Sequence, residues 1–408
     1  MKKTFLTFLV IFSFLVLSCS SSQNRTSANT ANHSSQEKGK VIPDISCLKD
    51  PSKSYSLYLP SDYSAEKKYP LILAFDPQGS GNLPVEKYHA LAEKYGYILM
   101  GSNNSKNGQP MNETEAIISS LFEEFSTRYS VDSSRIYLMG FSGGSRIASL
   151  VALYGGGIRG VIGCGAGFPG GNQPGRYRFD YIGLAGNADF NMNELVNLDE
   201  QLEQQGFLHA LIIFDGKHEW PAKEMMEEAF IWNEFCAMKE NLIPKNEKLI
   251  QDYYHVMEDK IHLDDSTGEI YRKYNDLKQM LSFLDGLTNV DNLRKQLQET
   301  KSSPEFKKAE KNIVTLKEKE MQEQQMFAEN FYIKDIDWWK KQITNYELRI
   351  TNEKNPQDVL FCKRTMSYLS LLAYMKYTGA INSGEKDKAD FALKVYQMVD
   401  PENAAKIK

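Results

Sequence analysis

The stretch Gly140-Phe141-Ser142-Gly143-Gly144 sets a serine hydroxyl among small residues, directly after the apolar run 135–141. A G-x-S-x-G turn between a strand and a helix is a nucleophile elbow: small neighbours permit a sharp reversal that leaves the hydroxyl exposed. Serine is a weak nucleophile at neutral pH and needs a base. Six histidines compete for that role. His33 lies in a polar N-terminal stretch, His89 in a helix-like segment before the serine, His209 within a strand-like run, and His255 and His262 in a helical region. His218 alone sits in a loop, "FDGKHEWP", just after the last strand-like run. Asp189, next to last in "YIGLAGNADF", is the preferred carboxylate, with Asp215 and Asp180 as competitors. Asp215 belongs to the same strand end as His218, and Asp180 begins its strand, at the opposite edge of a parallel sheet. The chain order Ser, acid, His fits hydrolytic acyl transfer. Ser142 would attack a carbonyl, His218 would take its proton, and Asp189 would hold the imidazole in the right tautomer. Gly143 would offer its backbone N–H at a helix N-terminus, where partial positive charge favours an oxyanion.

These residues converge only if the elements between them are ordered correctly. Strand-like runs fall at 55–59, 71–75, 97–101, 135–141, 160–165, 181–185 and 208–214, mostly short, β-branched or aromatic and bounded by Gly, Pro, Asn or Asp. Helix-like segments at 85–94, 113–129, 145–154, 193–205 and 222–239 lie between or after them. Such alternation implies an α/β fold, a mainly parallel sheet covered by helices on both faces. In such sheets ligands gather at the C-terminal ends of strands. The run 55–59 alternates polar and apolar residues and reads as an antiparallel edge strand. Asn112 with Glu115 resembles a capping box. After residue 241 glycine becomes scarce and charge rises, and helices are expected around 245–259, 270–284, 292–298, 304–332, 338–351, 358–377 and 386–399. The ending "KADFALKVYQMVDPENA" looks like the second helix of a tetratricopeptide repeat, with Ala389 and Pro401 at that motif's spacing. The domain reading is therefore 41–240 for the α/β unit and 245–408 for an all-α, TPR-like region.

Residues 55–237 resemble the α/β-hydrolase superfamily, in particular the compact esterases related to polyhydroxybutyrate depolymerases and feruloyl esterases. The matching pieces are "YSLYLPSDYSAEKKYPLILAFDPQGSG", "RIYLMGFSGGSRIASL", "GLAGNADF" and "GKHEWP". The resemblance implies a Ser142–Asp189–His218 triad, ester hydrolysis through an acyl-enzyme, and neither metal nor organic cofactor. One piece departs from the pattern. Those enzymes have His-Gly after the second strand of the unit, whereas this chain has Asp76-Pro77-Gln78-Gly79. Proline has no N–H, so the second oxyanion donor would be the Gln78 backbone, with Gly79 in reserve. Asp76 adds negative charge there unless a hydrogen-bond network turns it away. The segment 165–181 is too short for a large lid, which implies an open cleft for soluble or polymer-displayed esters, with Phe168, Pro169 and Trp220 as candidate lining residues. Arg176 and Arg178 would attract anionic substrates or simply be solvated.

The 408-residue length implies two or three domains. A net charge of -5 without a long basic tract excludes nucleic acid as an expected partner. Lys2 and Lys3 precede an apolar run, too short to span a bilayer, that ends at Val16-Leu17-Ser18-Cys19. This resembles a bacterial lipobox, so residues 1–19 read as a lipoprotein signal with lipidation at Cys19. The alternative is a plain signal peptide with an incidental cysteine. Residues 20–40 are polar and read as a flexible tether, which implies a membrane-anchored protein of the cell envelope. Cys47, Cys164, Cys236 and Cys362 show no metal-ligand spacing and leave room for one disulfide in an oxidising compartment. Two other readings remain: a serine peptidase on the same fold, and an inactive hydrolase fold whose helices bind a protein partner.

Overall fold

The computed structural model describes residues 37–169 and 177–407. The signal segment, Cys19, most of the tether and Arg176 lie outside the described residues. Eight strands form one sheet: β1 (Val41–Ser46), β2 (Ser54–Tyr58), β3 (Tyr69–Phe75), β4 (Ile98–Ser102), β5 (Val131–Phe141), β6 (Gly160–Cys164), β7 (Asp180–Gly186) and β8 (His209–Phe214). Their order is β1-β2-β4-β3-β5-β6-β7-β8. β1 pairs antiparallel with β2, and β2 with β4; every other pairing is parallel. β3, reading YPLILAF, is buried at all seven positions, the continuous apolar run of a strand covered on both faces. Alternate side chains point to opposite faces. Ile72 and Ala74 join a core completed by α1 (Asn82–Tyr95) and α5 (Lys223–Lys239). Leu71, Leu73 and Phe75 face α2 (Met111–Arg128), α3 (Gly143–Gly155) and α4 (Met192–Gln204). The mainly parallel sheet with helices on both faces is thus the fold the sequence implies.

Three local expectations change. β1 was not foreseen, because Pro43 and Asp44 interrupt its pattern and its pairing with β2 is irregular between Ile42 and Ile45. Its presence makes β2, which stays antiparallel, interior to the sheet. Asn112 caps nothing: α2 begins at Met111 after Pro110, whose extended ψ of 144° ends the preceding loop, and no side-chain cap forms.

The remaining helices are α6 (Glu247–Thr267), α7 (Ile270–Leu284), α8 (Asp291–Ser302), α9 (Pro304–Asn330), α10 (Ile336–Asn352), α11 (Pro356–Asn382), α12 (Lys386–Val399) and the short α13 (Pro401–Ala404). The apolar core does not divide at residues 240–245, where the composition changes. α6 and α7 lie on α5 and share its core, with the Trp232 ring 5.0 Å from Phe283 and Tyr253 stacked on Phe283 at 4.7 Å. A separate cluster begins only at Phe327 and gathers Trp339, Tyr346, Phe361, Leu369 and Val395. In it α11 and α12 pack as a hairpin, Ala389 is buried, and Pro401 opens α13. Cys47, Cys164, Cys236 and Cys362 are all buried and free, so the disulfide left open by the sequence does not form among them. No helix among the described residues is long and apolar enough to cross a membrane.

Candidate active site

The turn after β5 is tight because two glycines let backbones meet. A Cβ on Gly140 would lie 2.2 Å from the Gly144 carbonyl oxygen, and one on Gly144 would lie 2.0 Å from the Phe75 carbonyl oxygen. Between them Ser142 adopts φ 51° and ψ -119°. Positive φ is unusual for a non-glycine residue and marks backbone strain that the surroundings must impose. One constraint is the Ser142 N–H, which donates to the Cys164 carbonyl at the end of β6, 2.8 Å away. Ser142 stands at the N-cap of α3, where a serine commonly accepts from the helix backbone. It makes no such bond here. Its Oγ lies instead 3.0 Å from His218 Nε2.

His218 Nδ1 lies 3.0 Å and 2.9 Å from the two carboxylate oxygens of Asp189. With Nδ1–H donating to that carboxylate, Nε2 is left as an acceptor for the Ser142 hydroxyl. Asp189 is fully buried. It also accepts the Asn191 N–H at 2.8 Å, so its charge has two donors. The acid and histidine loops are stitched together: Asn187 N–H donates to the Phe214 carbonyl and Ala188 N–H to the Gly216 carbonyl. Gly165, at φ +63°, passes close to both; a Cβ there would stand 3.1 Å from Asp189 Oδ2 and 3.2 Å from His218 Nδ1. The structure therefore brings together Ser142, Asp189 and His218. Asp180 sits at the start of β7 in an ion pair with Arg159, and Asp215 is exposed. His89 bonds the Glu86 carbonyl, His209 faces Asp199, and His255 and His262 are exposed.

The other expected site residues are placed differently. Gly143 opens α3 directly after Ser142, so its N–H has no intrahelical partner four residues back. The Gln78 N–H, expected as the second oxyanion donor, is taken by Asp76 Oδ1 at 2.9 Å. The reserve donor Gly79 bonds the Asp76 carbonyl. Asp76 is buried; its Oδ1 also accepts the Ser80 N–H, and its Oδ2 accepts the Trp220 indole N–H at 2.9 Å. Trp220 is therefore no pocket wall: it is buried, with its polar edge spent on Asp76. Phe168 likewise turns toward Phe179 and Tyr181, at 6.0 Å and 5.3 Å, because the second core offers it aromatic partners. The rings that flank His218 are Phe141 at 4.7 Å and Phe190 at 4.4 Å. Both stand beside residues already singled out, yet sequence spacing alone gave them no role. Asn191 and Gly165 were also missed; a donor two residues after the acid and a glycine at a strand end were the available signals.

No family model matches the chain, and no curated protein matches it. Among solved structures it is similar to s-formylglutathione hydrolase from Staphylococcus aureus, at 12% identity, 48% of this chain, 98% of that one and TM-score 0.40. It is also similar to a ferulic acid esterase, at 17% identity over 47% and 94% of the two chains with TM-score 0.38. Esterase B from Lactobacillus Rhamnosis gives 16%, 50%, 87% and 0.41. The architecture stands on the chain's own topology: with this strand order, an antiparallel β2 and an elbow after β5, residues 41–239 have the α/β-hydrolase fold.

Proposed function

We propose that the protein is a serine hydrolase that cleaves carboxylic esters through an acyl-enzyme. The observation that carries this reading is the unbroken chain from Ser142 Oγ to His218 Nε2, and from His218 Nδ1 to the buried Asp189. In the first step Ser142 Oγ bonds the ester carbonyl carbon while its proton passes to His218 Nε2. The tetrahedral intermediate collapses, the alcohol leaves with that proton, and the acyl group stays on Ser142. Water then repeats the sequence in the same order, giving its proton to His218 and releasing the acid and free Ser142. Asp189 keeps the imidazole oriented and offsets its positive charge during each transfer. The Trp220 and backbone N–H donors around Asp76 support activity, because they hold that carboxylate in a network of its own. We also propose lipid attachment at Cys19, which would hold the protein at a membrane of the cell envelope; loss of incorporated fatty acid in Cys19→Ala tests it.

Steady-state hydrolysis of p-nitrophenyl acetate and butyrate tests the activity. Ser142→Ala is expected to lower kcat by about 10⁴-fold or more. A wild-type rate no higher than that of the variant would refute the proposal.

A further inference from the structure

Hydrolysis needs two donors for the oxyanion, and the backbone around the elbow leaves one. Gly143 N–H is free of the helix ladder, but Pro77 has no N–H and those of Gln78 and Gly79 are engaged by Asp76. A side chain fills the space beside Gly143. A Cβ on Gly143 would fall 1.8 Å from Asn107 Oδ1 and 3.0 Å from Asn107 Nδ2. The Asn107 amide therefore lies against Gly143, the residue directly after Ser142. Its loop is held in place there, since the Asn107 backbone N–H donates to the Pro77 carbonyl at 2.8 Å and Gln78 bridges Lys106. The amide itself forms no hydrogen bond among the described residues, and Asn107 is exposed. A half-turn about its Cβ–Cγ bond exchanges oxygen and nitrogen, so the NH₂ can take the position nearest Gly143.

We propose that Asn107 is a catalytic residue, its side-chain NH₂ supplying the second oxyanion donor beside Gly143 N–H. This rests on the serine hydrolase reading above. A side-chain amide aimed at developing charge does what a backbone N–H does: it stabilises the tetrahedral oxygen more than the ground-state carbonyl. The assignment also accounts for glycine at 143. Any side chain there would displace the amide.

The test is kinetic, on the full chain, with p-nitrophenyl butyrate. Asn107→Ala is expected to lower kcat by about 10²- to 10³-fold with KM nearly unchanged. Asn107→Asp has the same shape without a donor and is expected to lose at least as much. Thermal unfolding should be unaltered in both, since the side chain is exposed and unbonded. Turnover in Asn107→Ala within a few-fold of wild type, while Ser142→Ala is inactive, would overturn the proposal and leave the hydrolase reading standing. A wild-type protein that neither turns over nor labels with a fluorophosphonate would overturn both. A crystal structure of the fluorophosphonate adduct gives an independent readout. The phosphonyl oxygen on Asn107 Nδ2 and Gly143 N supports the assignment, and the same oxygen on Gln78 N overturns it.

Discussion

Asp189 and Glu320 are both fully buried carboxylates, and both bear on the loop from 187 to 193, but their partners differ. Asp189 faces the His218 imidazole, whose other ring nitrogen lies against Ser142. Glu320, on α9, faces the Arg364 guanidinium of α11 at 2.8 Å, which keeps its charge. Arg364 also donates to the Asn187 carbonyl at 3.0 Å, two residues from Asp189. Glu320 in turn bonds Asn193. Burial pushes the Glu320 carboxyl up, and Arg364 opposes that push. In the proposed mechanism the first pair serves proton transfer, and the second ties down the loop that carries Asp189. The helical region reaches the site through this second pair.

The largest effect is expected from altering the first pair. Asp189→Asn is expected to lower kcat by about 10⁴-fold with little change in melting temperature. A variant with near-normal turnover would mean that the carboxylate does not work through His218. The second pair should show the opposite profile. Arg364→Met strands Glu320 as an unpaired buried charge and is expected to cost about 3–5 kcal/mol in urea unfolding. Glu320→Leu combined with Arg364→Met should recover most of that stability loss but still lower turnover, because the contacts to Asn187 and Asn193 are gone. A double variant as unstable as the single one would assign the cost to packing instead.

A third carboxylate sharpens the point, because its neighbour is another acid. Burial, and after it the charge of Asp264, pushes Asp276 up to about 7. A carboxyl whose folded value lies above its unfolded value stabilises the fold at low pH and loses that contribution as pH rises through the folded value. Stability should therefore fall between about pH 4 and pH 7 on this account. Asp276→Asn should flatten that slope and stabilise the protein at pH 8 by about 1–2 kcal/mol, after allowance for solvent screening. Unfolding curves across pH check it, and an unchanged slope contradicts it. The smallest effect belongs to an exposed pair. Lys248→Ala removes the contact with Asp252, whose side chains are 83% and 58% exposed, and should change stability by less than about 0.5 kcal/mol.

The parts of the site legible in the sequence are those set by strand order. Ser142, Asp189 and His218 each follow a strand, so a parallel sheet places them at one edge. What stayed hidden depends on contacts between distant segments. Trp220 and Asp76 are separated by 144 positions, and nothing local says that the indole N–H will meet that carboxylate. That one bond turns Trp220 inward and accompanies the engagement of the Gln78 N–H. Phe168 read as a lining residue because it follows a strand, but the aromatic neighbours that turn it inward come from β7 and its approach. β1 was missed for a local reason: a bulged edge strand tolerates Pro43 and Asp44, which erase the alternation a strand normally displays. The change in composition after residue 241 was real, yet it marks the end of the sheet and not of its core, since α6 and α7 bury aromatic rings against α5.

Ser142 is proposed as a nucleophile activated by His218. Intact-protein and peptide mass spectrometry after brief exposure to a fluorophosphonate tests it directly. One adduct is expected, located on Ser142, absent in Ser142→Ala and formed far more slowly in His218→Ala. A folded protein that gains no adduct, or gains it on another residue, would contradict the account.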